Sequence, residues 1–185
     1  STNLEWGAPI DVTEGSFKYV ANAPAPKDPT AKRLEYFLGY LEFPDDLVAN
    51  DAYGEFANAP YEENKKLKDK LPRERLRQWV ADPETSVTRL GLYGLLLGLS
   101  GNAEDAKFLK ERITKNTNEF RLGIDGIMAG YLLLTGNEGL KVIEDTKLRP
   151  DPDSKIPFSE TYAAMQAVRF HWSNGNGKIE KERLK

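Results

Sequence analysis

Arg89-Leu90-Gly91-Leu92-Tyr93-Gly94-Leu95-Leu96-Leu97-Gly98 recurs 32 residues later as Arg121-Leu122-Gly123-Ile124-Asp125-Gly126-Ile127-Met128-Ala129-Gly130. Five of the ten positions are identical and four more stay apolar. The fifth position breaks the match, setting Tyr93 against Asp125. Ala164-Met165-Gln166-Ala167-Val168 keeps the small-apolar-polar-small-apolar order of Gly91 to Leu95, with Gln166 in the place of Tyr93 and Asp125.

Outward from this core the chain repeats itself in other ways. Phe17 to Pro24 aligns with Tyr53 to Pro60, and both end in Ala-Asn-Ala-Pro. Gly-Asn occurs at Gly101-Asn102, Gly136-Asn137 and Gly175-Asn176, each just after a repeated segment, where a glycine at positive φ would close a helix. The offsets between related segments run from 32 to 41 residues, the period of stacked helical hairpins. A single hairpin leaves an apolar face uncovered, and the next hairpin covers it.

The intervening segments read as partner helices. Leu34, Phe37, Leu38 and Leu41 recur at i, i+3, i+4 and i+7, one buried stripe. Leu76, Trp79 and Val80 follow the same spacing behind Pro72, which suits a first helical turn. Phe108, Leu109 and Ile113 mark a helix over 103–113, and Leu140, Val142, Ile143 and Leu148 mark one over 138–148. No stretch clearly prefers strand.

The segment from Trp79 through Asp82-Pro83 and Val87 to Gly101 resembles the HEAT repeat. A first helix ends, Asp82-Pro83 turns, Val87 opens a second helix, and Leu95, Leu99 and Gly101 carry it to its end. Tyr40 to Ala52 is a second copy. HEAT repeats place a basic residue directly after the Val; here Thr88 stands there and Arg89 follows one later. The resemblance covers residues 30–185 and implies an all-α fold, an α-α superhelix of about four HEAT-like hairpins. Residues 1–29 read as an N-terminal extension with one short helix, capped by Thr13, and a stiff Ala23-Pro24-Ala25-Pro26 linker. The chain is also similar to the repeat region of uncharacterised bacterial HEAT-like proteins, some of them exported with a further N-terminal domain.

Composition narrows the possible activities. With 39% hydrophobic and 30% charged residues over 185 positions, the chain can bury one sizeable core. A net charge of -3 argues against nucleic acid, which demands a basic surface. Residues 1–63 carry 4 basic and 12 acidic side chains, so this part is strongly acidic and the remainder is basic. The absence of cysteine removes disulfides, thiolate zinc sites and a cysteine nucleophile, and leaves the compartment open between cytoplasm and export. No run is long enough for a membrane span, and Ser1-Thr2-Asn3-Leu4 does not open a signal peptide. The missing initiator Met suggests a processed or excised chain.

Chemistry-bearing motifs are sparse. His171, between Phe170 and Trp172, is the one histidine and reads as structural or exposed. Asn174-Gly175-Asn176-Gly177 resembles the middle of a calcium loop, but Trp172 and Arg183 occupy the outer ligand positions. Asp151-Pro152-Asp153-Ser154 reads as a solvated connection. Neither a metal nor a cofactor is expected. In a HEAT superhelix the second helices line the concave face, so the resemblance places Arg89, Tyr93, Arg121, Asp125 and Gln166 there as partner-binding candidates. Arg89 and Tyr93, like Arg121 and Asp125, are four apart and share a helix face; Arg121 and Asp125 suit an intrahelical ion pair, and Tyr93 a half-buried place between repeats. Leu92, Leu95, Ile124, Ile127, Met165 and Val168 read as core. The expectation is a non-enzymatic scaffold that binds a protein or peptide, including another domain of a longer chain. The alternative is an enzyme or small-ligand protein with a polar site on the same face, which converging ionisable groups around Arg89, Tyr93, Arg121 and Asp125 would favour.

Overall fold

The computed structural model describes Gly7 and residues 11–115, 117, 119–149 and 155–184. The Asp151–Ser154 connection lies outside them. The described residues form ten α-helices and no strand, an all-α fold: α1 (Glu14–Asn22), α2 (Thr30–Leu38), α3 (Asp46–Asn58), α4 (Tyr61–Lys66), α5 (Arg73–Ala81), α6 (Leu90–Ser100), α7 (Ala103–Thr114), α8 (Ile124–Thr135), α9 (Asn137–Ile143) and α10 (Phe158–Asn174). A 3-10 turn, Lys68–Lys70, follows α4, and a π-helical turn, Glu144–Leu148, extends α9.

Local sequence sets many of the boundaries. Thr13 caps α1 reciprocally with Ser16, and Asn102 caps α7 reciprocally with Asp105, each pair satisfying two otherwise orphaned backbone N–H groups. The two Ala-Asn-Ala-Pro segments end α1 and α3 in the same way. Asn22 donates to the Lys18 carbonyl at 2.8 Å and Asn58 to the Gly54 carbonyl at 2.9 Å, while the following alanine leaves the helix and proline prevents its return. Of the three Gly-Asn glycines only Gly136 has positive φ, at 61°; Gly101 and Gly175 turn into extended backbone at φ -78° and -61°. Val87 does not open α6, which begins at Leu90; Val87 stays in the preceding turn, 55% exposed.

The closest packing in the molecule is between α6 and α8. A Cβ built on Gly91 would lie 3.2 Å from Gly123 Cα, one on Gly94 2.7 Å from Ile127 Cα, and one on Gly98 2.3 Å from Gly130 Cα. These pairs ascend together, so the two helices run parallel with backbone against backbone. The spacing by three and four that both segments share is thus the footprint of one seam. On its other side α8 meets α10, where His171 reaches the Ala129 carbonyl and Asn176 the Leu133 carbonyl, again in ascending order. Helices α5 and α7 pack against α6 and α8 respectively.

One apolar core runs from Tyr19 of α1 through Leu34, Phe56, Leu76, Leu96 and Leu132 to Ile179. The α2 stripe is buried as its spacing requires, with Leu34 and Leu41 fully enclosed and Phe37 nearly so, while Leu38 is half-buried. Ile124 and Ile127 join this core. Met165 does not: it is 46% exposed, because Ala163, Ala164 and Ala167 form the face of α10 turned inward.

Candidate functional site

Arg89 and Arg121 occupy the same position of the two matching segments, and both side chains reach a carboxylate distant in sequence. Arg89 is buried. Its guanidinium donates to Glu42 Oε1 at 3.1 Å and to Asn50 Oδ1 at 2.8 Å, tying the start of α6 to α3 and the turn before it. Tyr93, one turn on, is fully enclosed rather than half-buried, and its hydroxyl donates to the same Glu42 carboxylate and to the Leu41 carbonyl at 3.0 Å. Desolvation and then the Glu42 bond push the Tyr93 phenol far above its ordinary pKa, so it remains a neutral donor.

Arg121 forks onto Glu160 instead, Nε to Oε1 at 2.8 Å with Nη2 on Oε2, while its other donors hold the last carbonyls of α7, Arg112 and Ile113. Lys147 completes the network at 2.8 Å from Glu160 Oε2. Burial by itself would raise the Glu160 carboxyl. The hydrogen bonds and charges of Arg121 and Lys147 outweigh burial and hold its pKa below the ordinary glutamate value. Arg121 and Asp125 therefore form no pair; among the described residues Asp125 has no ionic partner.

Asp125 and Gln166 open into a groove instead. A cavity of about 490 Å³ runs over the inner edges of α6, α8 and α10, with Leu92, Leu95 and Phe170 as apolar walls, Asp125 and Gln166 as polar groups, and Tyr53 of α3 at one side. Gly91, Gly123 and Gly126 also line it, with their Cβ directions turned into the α6–α8 seam. Leu92 and Leu95, read as core from the sequence, are half-buried here and face the groove. Tyr61 of α4 packs edge-on against Phe170 with ring centroids 4.8 Å apart, so α4 touches α10. Desolvation, followed by the charge of Glu62, pushes the Tyr61 phenol up to about 12.

Of the five candidate residues, the structure brings Arg89 and Tyr93 together on Glu42, sends Arg121 to Glu160, and leaves Asp125 and Gln166 at the groove. The four ionisable positions around which an enzyme site was sought thus divide between two internal networks and one groove. Glu42, Glu160, Tyr53 and Phe170 escaped sequence reasoning. The repetition of an arginine at one position was the available sign for the two glutamates, since a buried guanidinium requires a carboxylate.

His171 is buried, with Nε2 2.9 Å from the Ala129 carbonyl, and desolvation lowers its pKa against the opposing effect of that bond. No group of three or more His, Cys, Asp or Glu placed to hold a metal occurs among the described residues. No helix among them is long and apolar enough to cross a membrane. The chain matches no protein-family model, no curated protein and no solved structure. What fold and site define together is an all-α protein with a groove along three neighbouring helices.

Proposed function

We propose that the chain is a HEAT-like helical-repeat scaffold of about four hairpins that holds a short peptide segment in the groove over α6, α8 and α10. The groove itself carries this reading: apolar walls from Leu92, Leu95 and Phe170 surround an exposed carboxylate, Asp125, that no described cation neutralises. Such a surface favours a ligand with a basic side chain next to an apolar one, because the apolar part is desolvated by the walls while the cation pairs with Asp125.

Selection of random linear peptides on the wild-type protein, with binding then measured by fluorescence anisotropy, tests the proposal. Selected peptides should be rich in Lys or Arg beside Leu or aromatic residues. Asp125→Lys should weaken them by at least tenfold, about 1.4 kcal/mol, with the urea midpoint unchanged. Peptides that bind Asp125→Lys and Leu95→Glu as well as wild type would refute the groove. Arg89 and Arg121 are unsuitable probes, since reversing either charge opposes the carboxylate it is bonded to, Glu42 or the buried Glu160.

A further inference from the structure

The α10 helix presents two opposite faces. Glu160, Ala163, Ala164, Ala167 and His171 are buried against the rest of the protein. At about 100° per residue, Phe158, Tyr162, Met165, Arg169 and Trp172 fall on the far side, at successive spacings of four, three, four and three. That spacing is the seam of a helix that packs along its length on another helix. Here the seam is uncovered: Phe158 is 77% exposed, Tyr162 51%, Met165 46% and Trp172 45%. With aromatic side chains at roughly 200 Å² each, these four expose about 450 Å² on one protomer, the scale of a functional patch.

We propose that a second copy of this chain covers the seam, with α10 packing antiparallel on α10 about a two-fold axis near Met165. The two ends of the seam complement each other. The Phe158 end projects two rings, those of Phe158 and Tyr162, tilted by 30° with centroids 6.2 Å apart. The Trp172 end holds a hollow of about 440 Å³ lined by Leu148, Met165, Val168, Arg169, Trp172 and Leu184. Antiparallel pairing sets the rings of each copy into the hollow of the other and brings the Arg169 guanidinium over an aromatic face, a favourable contact made twice. Parallel pairing would set Arg169 against Arg169 and hollow against hollow. Leu148, Val168 and Leu184 at the rim of the hollow add little to the seam, so each copy buries about 500 Å², a total of about 1,000 Å² that suits a weak, concentration-dependent dimer. The groove lies on another edge of α10, through Gln166 and Phe170, and stays open in the dimer.

Sedimentation velocity at about 100 μM should give a dimer for the wild type and a monomer for Met165→Glu, with unchanged far-ultraviolet circular dichroism and unfolding midpoint. Because the chain has no cysteine, cross-linking reads the geometry directly. Met165→Cys should link to itself under mild oxidation, and a mixture of Phe158→Cys and Trp172→Cys should link more completely than either alone. A monomeric wild type, a dimer that survives Met165→Glu, or Trp172→Cys linking to itself in preference to Phe158→Cys would each overturn the proposal.

Discussion

Replacing Gly130 by alanine is expected to destabilise the protein, although alanine is the better helix former by about 1 kcal/mol at an interior position. The new Cβ would lie 2.0 Å from the Gly94 carbonyl oxygen and 2.8 Å from its carbon, both in the backbone of α6. No rotamer change relieves a clash with backbone. The helices must separate by about 1 Å, and every dispersion contact along the seam weakens with them. Overpacking of this kind costs about 1–3 kcal/mol and sometimes more. With the propensity gain set against the upper part of that range, the net loss is about 2 kcal/mol, a fall in melting temperature of roughly 4–8 °C for a chain of this size. Gly54→Ala is the control, since a Cβ there meets nothing within 4 Å, and it should raise stability by about 0.5–1 kcal/mol. Gly98→Ala strikes Gly130 Cα at 2.3 Å and opens the same seam, so the double variant should lose less than the sum of the two. Urea unfolding followed by circular dichroism measures all four proteins. A Gly130→Ala variant as stable as Gly54→Ala would refute backbone contact between α6 and α8.

Two pH effects follow from buried groups. Glu160 has its folded pKa depressed, so the stability it contributes is full above its unfolded pKa of about 4.3 and is lost as pH falls toward the folded value; Glu160→Gln should cost roughly 3 kcal/mol at neutral pH and flatten that acid limb in urea titrations. His171 is also depressed, so the unfolded chain takes up its proton first and stability declines below about pH 6.5; His171→Gln should remove this shallower slope while leaving the Glu160 limb in place.

The all-α fold was legible because the segments at 89–98 and 121–130 carry the same demand for bare backbone, and a demand of that kind survives in sequence as glycine. The cap at Thr13 was legible for a similar local reason. The roles of Arg89 and Tyr93 were not. Their shared carboxylate comes from Glu42, about 50 positions away in a turn with no periodicity, and nothing in helical spacing distinguishes a solvated arginine from one buried against another hairpin. Met165 was misplaced because an apolar residue in a repeated helix has two possible apolar destinations, the core and an outer seam. Asp125 and Gln166 were picked out by their variation among constant neighbours, and both line the groove.

The two equivalent arginines also differ in time. A chain made from its N-terminus has already produced Glu42 when Arg89 appears, so the first carboxylate is waiting when α6 forms. Arg121 precedes Glu160 by 39 residues, which at about 5–20 residues per second is an interval of roughly 2–8 s. Throughout that interval α8 can lie against α6 along its glycine seam, but its arginine has only the carbonyls of α7 to hold. The nascent protein therefore locks in order, its first half as it emerges and its second half only once α10 has been translated.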